Sequence, residues 1–110
     1  MPKYIDIDHV GIILKEEFME PFNLSMNALA GAIGVPANYI HGIVHGRRGI
    51  SAVMDLRLTR YFGLSRGYFL RLQNRFDMLN AGKEISEAEL KRIVPLMAQN
   101  SERAETRLAA

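Results

Sequence analysis

Residues 25–48, SMNALAGAIGVPANYIHGIVHGRR, decide the fold of this 110-residue chain. The stretch predicts two short helices, over residues 25–33 and 36–44, joined by a tight turn. Gly34 stands at the turn and can adopt the positive φ that ends a helix at little steric cost. Ala30, four positions earlier, is small enough to let the two helices approach closely. The stretch therefore predicts a pair of steeply crossing helices.

The apolar side chains of this pair are spaced so that each helix has one buried face. Leu29 and Ile33 are spaced i, i+4 in the first helix, and Ile40 and Ile43 are spaced i, i+3 in the second. The opposite face of the second helix is then left exposed. This is the arrangement of a helix-turn-helix, whose second helix typically lies in the major groove of DNA. A tight helical pair inside any small all-α domain is the alternative.

The charges favour the nucleic-acid interpretation. Residues 35–75 carry seven arginines against one aspartate, whereas residues 1–34 carry two basic and five acidic side chains. Arginine pairs with phosphate through a planar fork, and a basic patch on one segment indicates nucleic-acid binding. Arg57 and Arg60 could equally serve as solvated side chains on the back of a helix. We expect double-stranded DNA as a partner.

The composition excludes several other classes of protein. Apolar residues make up 48% of the chain, enough for one compact core, and cysteine is absent, which excludes disulfides and thiolate chemistry. No apolar run approaches the roughly 18 residues of a membrane span, and no signal-peptide pattern begins the chain. We expect a cytoplasmic protein without a membrane segment.

Two histidines, His41 and His45, stand i, i+4, a spacing that lets two imidazoles share a zinc ion. A metal site needs further ligands, and His9, far away in sequence, offers the only other imidazole. The motifs of serine hydrolases, P-loop enzymes and dinucleotide-binding enzymes are all missing. We therefore expect no metal, no cofactor and no enzymatic activity.

Capping residues and helix breakers place the other helices of the bundle. Pro21 ends a first helix, because proline lacks the N–H that would continue it. Ser51 is a natural N-cap for a fourth helix, which Gly63 ends. Ser65 is the predicted N-cap of a fifth helix that ends near Met78. Five helices with short connections predict a compact bundle.

The remainder of the chain predicts one more helix. A polar break at residues 80–83 precedes the capping box SEAE that starts at Ser86. The predicted fold is thus all-α, a five-helix helix-turn-helix bundle with an additional C-terminal helix. We assign residues 1–78 to a DNA-binding domain, in which residues 1–9 form an extended arm. Residues 79–110 form a C-terminal helix and tail, a candidate for dimerisation or partner contact.

Motifs outside the helix-turn-helix match a known family. They are His9-Val10-Gly11, Leu14-Lys15-Glu16-Glu17-Phe18, Glu20-Pro21, Gly46-Arg47-Arg48-Gly49-Ile50, Leu56-Arg57-Leu58, Arg60-Tyr61-Phe62-Gly63 and Leu72-Gln73. Over residues 9–78 the chain resembles the HigA-type (VapI-like) antitoxins of the XRE/Cro-like helix-turn-helix family. The resemblance implies a lambda-repressor-like bundle and a homodimer that represses its own operon at a palindromic operator. It also implies a toxin partner, typically a ribosome-dependent mRNA endonuclease.

Two departures from the family pattern bear on DNA reading. Met26 replaces a polar residue that reaches a phosphate, and Gly42 replaces a longer side chain in the reading helix. Two alternatives to an antitoxin stay open, and these departures support only the second. One is a stand-alone XRE-family transcriptional regulator without a toxin partner. The other is a protein-interaction module that no longer reads DNA.

The second helix of the pair supplies the candidate base contacts. With Ile40 and Ile43 inward, four positions project outward: Asn38, His41, Gly42 and His45. The leading tip consists of Pro36 and Ala37. Asn38 is the best base reader, because its amide can pair bidentately with adenine. Ala37 can touch a thymine methyl group, and His41 can donate to guanine or to a phosphate.

Other polar side chains are candidates for phosphate contacts, which supply affinity and register rather than sequence choice. Arg47 and Arg48 follow the reading helix, whereas Ser25 and Asn27 begin the helix before it. Tyr39 lies at the flank, where a contact with the DNA backbone is more favourable than one with bases. For Tyr39 and His45, helix packing or capping is an equal alternative.

A dimer that reads two half-sites needs an apolar contact between its subunits. The aromatic residues of the fifth helix, Tyr68, Phe69 and Phe76, and residues 85–97 are the predicted contributors. Together they carry more apolar surface than a bundle of some 70 residues is expected to bury.

Overall fold

The computed structural model describes residues 9–99, and all regular secondary structure in that range is helical. The chain divides into two compact units between Asn80 and Ala81. The predicted arm, except His9, and the part of the predicted tail beyond Gln99 lie outside the described residues. The predicted all-α fold is confirmed.

The helices follow the predicted order, with α1 passing through three helical forms. It begins as an α-helix at Val10–Ile13, continues as a π-helix over Leu14–Met19 and ends in a 3-10 turn at Glu20–Phe22. The other helices are α2 (Met26–Ile33), α3 (Ala37–Val44), α4 (Ala52–Phe62), α5 (Tyr68–Glu84), α6 (Glu87–Lys91) and α7 (Leu96–Gln99).

Local sequence signals determine several helix ends. The hydroxyl of Ser51 accepts the backbone N–H of Met54 at 3.1 Å and caps α4, which Gly63 ends at φ +69°. Ser86 and Glu89 form the predicted capping box of α6, in which the Ser86 hydroxyl accepts the Glu89 N–H at 3.1 Å. These caps need only residues three positions apart, and each is confirmed.

Helix α5 differs from the prediction at both ends. It begins at Tyr68 rather than after Ser65, whose hydroxyl accepts a hydrogen bond from the guanidinium of Arg71 at 2.9 Å. It also continues through the predicted break at residues 80–83 as far as Glu84. That segment carries a single glycine, which costs only about 1 kcal/mol relative to alanine in a helix interior. Alanine and lysine beside it are good helix formers, so the helix is not interrupted.

A single apolar core holds α1 to α5 together in the first unit. Its buried members are Val10, Ile13, Leu14, Met19, Leu29, Ala30, Ile33, Ile40, Ile43, Val44, Ile50, Met54, Leu58, Phe69 and Phe76. Phe18 links three helices, since its ring centroid lies 5.3 Å from that of Phe62 and 5.2 Å from that of Phe69. Such tilted aromatic pairs add to the stabilisation from buried area.

The aromatic residues of α5 correct the predicted dimer contact. Phe69 is completely buried and Phe76 is buried, while Tyr68 is half-buried with its ring centroid 5.7 Å from that of Phe18. Phe69 and Phe76 therefore belong to the core of one subunit. The small bundle buries more aromatic surface than the sequence led us to expect, because α1 and α4 both pack against α5 through Phe18 and Phe62.

A buried carboxylate connects α4 to the start of α5. Asp55 is only 1% exposed, and its oxygens accept the backbone N–H groups of Gly67 at 2.6 Å, Phe69 at 2.9 Å and Leu70 at 3.2 Å. These are the N–H groups that a helix start leaves without an intrahelical partner. Asp55 thus caps α5 from another helix, which explains why Ser65 is not needed for that role.

Gln73 fixes the loop between α3 and α4. Its side-chain amide accepts the N–H of Ile50 at 2.6 Å and donates to the carbonyl of Ile50 at 2.9 Å. A Cβ added at Gly49 would lie 2.7 Å from the Gln73 Oε1 atom, so the loop passes too close to α5 for a side chain there. The loop that carries the two consecutive arginines is therefore held at a defined place.

The described part of the second unit contains the end of α5 together with α6 and α7. The predicted C-terminal helix is two short helices, because the chain leaves the helical conformation ahead of Pro95. Several large apolar side chains are exposed there: Leu90, Ile93, Val94, Leu96 and Met97. Among residues 9–99, no helix has the length and apolar character to cross a membrane.

Candidate nucleic-acid interface

Helices α2 and α3 form the predicted helix-turn-helix. Gly34 has φ +72° and ends α2, and the N–H of Val35 donates to the carbonyl of Ala30 at 3.0 Å. Ala30 itself is buried, as its small size requires where the two helices meet. Arg57 of α4 donates to the carbonyl of Ile33 at 2.7 Å, so it supports the end of α2. This contact assigns Arg57 a structural role.

Helix α1 lies directly behind α3. A Cβ added at Gly11 would overlap the carbonyl oxygen of Ile43 and lie 2.6 Å from its carbonyl carbon. Only glycine permits this approach of α1 to the backbone of α3. The position of α3 is thus determined from its inner side by backbone contact as well as by side chains.

Helix α3 buries one face and exposes the other. Ile40, Ile43 and Val44 point into the core, whereas Asn38 and His45 are exposed. His41 is half-buried, and its ring stacks on that of His45 with the centroids 6.2 Å apart. The predicted outward direction is confirmed for Asn38 and His45.

Gly42 lies on the outer side of α3, as predicted, but it is buried. The side chain of Arg48 covers it. A Cβ at Gly42 would lie 3.0 Å from Cγ and 3.1 Å from Cδ of Arg48. The guanidinium carbon of Arg48 is 3.9 Å from the ring centroid of Tyr39, one turn earlier in α3. Arg48 therefore folds back along α3 instead of extending from the loop.

The tip of α3 and the start of α2 lie at the surface. Pro36 is the N-cap residue of α3, just before the first turn in which it was predicted, and it is exposed beside the half-buried Ala37. The hydroxyl of Ser25 caps α2 by accepting the N–H of Ala28 at 3.0 Å. Asn27 is exposed one residue into the helix.

A depression of about 380 Å³ brings residues of the two helices together. Ser25 and Asn27 of α2 line it with His41 of α3. Lys15 and Glu20 of α1 line it as well, with Lys15 Nζ 4.0 Å from a carboxylate oxygen of Glu20. The sequence separates Asn27 and His41 by fourteen positions, but the crossing of the helices places them on one surface.

The charge directly after α3 is positive. Residues 35–75 contain a single acidic residue, Asp55, and the carboxylate of Asp55 is buried against backbone N–H groups. Arg47 and Arg48 are exposed directly after α3. A surface of this kind is complementary to phosphate.

The described residues contain no cluster of three or more histidine, aspartate or glutamate side chains that could hold a metal ion. His9, the third imidazole, lies against Gly46, where a Cβ would be 2.8 Å from its Nε2 atom. His9 thus packs beside the end of α3, whereas His41 and His45 stand on the outer face.

The sequence reasoning missed two features of this surface. The first is the contact of Arg48 with Tyr39 across Gly42, for which the signal is a glycine on an outer helix face followed six residues later by an arginine. The second is Asp55, whose capping of α5 joins residues far apart in sequence and leaves no local pattern.

Comparisons with known proteins agree with this geometry. No protein-family model matches the sequence. The chain is 41% identical over 88 residues to "Virulence-associated protein I" of Dichelobacter nodosus, which covers 80% of each chain. It is 30% identical over 97 residues to "Antitoxin HigA-1" of Vibrio cholerae, covering 88% of this chain and 90% of that relative. It also superimposes with a TM-score of 0.73 on the solved Pseudomonas aeruginosa antitoxin HigA with the higBA promoter, at 39% identity over 80% of this chain and 96% of that one.

Proposed function

The chain belongs to the HigA-type family of helix-turn-helix antitoxins, and from this membership we propose that it is a sequence-specific DNA-binding antitoxin. It represses its own operon and neutralises a small mRNA endonuclease toxin. One observation carries the proposal: α3 is held from behind by α1 and exposes Asn38 and His45 beside two consecutive arginines. A relative with the same fold, 39% identical, was solved with promoter DNA.

Base reading falls to the exposed side of α3 and its tip. Asn38 is exposed in the first turn of α3, so its amide can reach an adenine edge in the major groove. Pro36 and Ala37 form the leading tip, where Ala37 meets a thymine methyl group. His41 and His45 stack on each other and extend the surface along the helix toward guanine or phosphate.

Phosphate contacts surround this surface. Ser25 and Asn27 lie at the start of α2, where unpaired N–H groups and the helix dipole favour an anion. Arg47 lies directly after the C-terminal end of α3. Contacts at these two places set the register of α3 in the groove but do not choose the sequence.

The protein is proposed to act as a homodimer on a palindromic operator, with half-sites about 34–36 Å apart. We assign residues 1–78 to the DNA-binding domain and residues 79–110 to a C-terminal region, whose described part contains the end of α5 together with α6 and α7. The exposed apolar side chains of that second region, among them Ile93, Leu96 and Met97, support a role in contact with another subunit or partner. Phe69 and Phe76 take no part, because they are buried in the bundle.

The protein is proposed to be a cytoplasmic binding protein and not an enzyme. The relatives include antitoxins and helix-turn-helix transcriptional regulators, and one antitoxin was solved with promoter DNA. The protein would then inactivate the toxin by non-covalent binding, since a bound antitoxin needs only to block the toxin.

Co-expression with the product of a neighbouring small gene tests the antitoxin role. We expect a complex of fixed stoichiometry after purification, and growth of cells that the small product alone would arrest. Absence of a complex, together with tight binding to the chain's own upstream DNA, would leave the alternative of a stand-alone XRE-family regulator. A complex without binding to that DNA would leave the alternative of a protein-interaction module, and the absence of both would contradict the proposed function as a whole.

A further inference from the structure

We propose that Arg48 is a base-reading residue. Its side chain lies over Gly42, at the place on α3 where a longer residue would contact DNA, and Tyr39 holds it in that position. The base we assign to it is guanine, whose O6 and N7 atoms accept the two parallel hydrogen bonds of a guanidinium. This inference rests on the proposed DNA-binding function and concerns the same surface. It replaces the phosphate contact predicted for Arg48 and the DNA-backbone contact predicted for Tyr39.

The backbone after α3 turns Arg48 back toward the helix. Gly46 has φ +74°, and the N–H groups of Arg47 and Arg48 both donate to the carbonyl of Gly42, at 2.8 Å and 3.2 Å. The chain therefore reverses directly beneath the outer face of α3. A side chain that starts there can lie along the helix surface, with its methylene groups against the helix.

The methylene groups of Arg48 use the space that Gly42 leaves. A Cβ at Gly42 would lie 3.0 Å from Cγ and 3.1 Å from Cδ of Arg48, closer than nearly all real Cβ contacts. Any residue other than glycine would require this side chain to shift by a few tenths of an ångström. Gly42 therefore does not simply remove a contact from the reading helix, because Arg48 fills the same place.

Tyr39 positions the charged end of the side chain. The guanidinium carbon lies 3.9 Å from the centroid of the Tyr39 ring, a cation–π distance. Tyr39 precedes Gly42 by one turn, so Arg48 points toward the N-terminal end of α3, the part of a recognition helix that typically contacts base edges. The ring covers a face of the guanidinium, whereas the N–H donors on its edge stay available for a planar acceptor.

Arg47 provides a matched control. It is the preceding arginine, is also exposed, and its backbone N–H donates to the same carbonyl, that of Gly42. The two arginines have the same charge and nearly the same location. A difference in how their loss affects DNA binding therefore reports geometry rather than charge.

The test begins with selection of duplexes by the full-length wild-type chain from a randomised pool. The best duplex and its single base-pair substitutions are then titrated with Arg48→Ala and Arg47→Ala at several salt concentrations. We expect Arg48→Ala to lose about 10- to 100-fold in affinity per half-site of the best duplex and to lose its preference at one G·C pair in each half-site. Arg47→Ala should weaken binding to all duplexes alike and lower the salt slope by about one per subunit.

Variants of the supporting residues separate positioning from folding. Tyr39→Phe keeps the aromatic face and should retain the G·C preference, whereas Tyr39→Leu should reduce it at the same base pair. Gly42→Ala should reduce it too, although alanine favours the helix. Thermal unfolding of each variant establishes that it is folded, and Tyr39→Leu provides the test if Gly42→Ala does not fold.

The outcomes distinguish this inference from the function on which it rests. If the wild-type chain enriches no duplex from the pool, the proposed DNA-binding function fails, and the inference fails with it. If a duplex is enriched but Arg48→Ala weakens all sequences equally and lowers the salt slope like Arg47→Ala, Arg48 is a phosphate contact. That second result overturns the inference alone.

Discussion

Replacement of Asp55 by alanine should strongly destabilise the protein while leaving its DNA-reading surface chemically unchanged. The carboxylate is 1% exposed and accepts three backbone N–H groups at the start of α5. Alanine leaves these donors without their partner. Because Phe69 is completely buried, its N–H cannot turn to water instead.

The magnitude follows from the burial of each hydrogen bond. The bond to the Phe69 N–H is buried, so its loss leaves an unsatisfied donor that costs roughly 1–3 kcal/mol. The bonds to Gly67 and Leu70 are partly accessible, and each contributes about 1 kcal/mol. Together these give a loss of about 3–5 kcal/mol in the free energy of unfolding. Asp55→Asn retains an acceptor but not the charge, and we expect roughly half of that loss.

Urea denaturation followed by circular dichroism measures this difference through the midpoint concentration. Asp77→Ala is the matched control, because Asp77 is an exposed aspartate of α5 and its removal should change the free energy of unfolding by no more than about 0.5 kcal/mol. A loss below about 1 kcal/mol for Asp55→Ala would refute the reasoning. It would mean that α5 begins without help from α4.

Three further predictions concern the DNA-reading surface and the contacts that hold α1 and the loop after α3. Asn38→Ala should weaken binding to the selected duplex by about 1–3 kcal/mol in a fluorescence titration, and an equal loss on random duplex would show that Asn38 contacts only the DNA backbone. Gly11→Ala should lower the free energy of unfolding by about 3 kcal/mol, since the new Cβ would lie 2.6 Å from the carbonyl carbon of Ile43. At Gly31 of α2 a new Cβ would meet open space, so Gly31→Ala should instead raise the melting temperature. A higher melting temperature for both substitutions would contradict the close packing of α1 on α3. Gln73→Ala should lower the free energy of unfolding by about 1–3 kcal/mol, because it removes two hydrogen bonds to the loop after α3. An unchanged midpoint in urea would show that these hydrogen bonds do not stabilise the loop.

Much of the fold could be predicted because its signals are local. Gly34 and Gly63 end helices at positive φ, and Ser51 and Ser86 cap helices through N–H groups three residues away. The spacing of Ile40 and its neighbours correctly identified the buried face of α3. The predicted break after Met78 was wrong. Helix propensities differ by only tenths of a kcal/mol between most residues, and a glycine costs about 1 kcal/mol relative to alanine. Penalties of this size do not end a helix whose neighbouring residues favour it.

By itself, the sequence determined the helix order, the helix-turn-helix, and the exposure of Asn38 and His45, because each depends on spacing within one helix or one turn. The tertiary structure alone decided that Asp55 caps α5, that Phe69 belongs to the core, and that Arg48 covers Gly42 beside Tyr39. These contacts join residues on different elements, or reverse the chain through a loop. Their energies depend on where whole helices cross, and no pattern within a short window of sequence records that position.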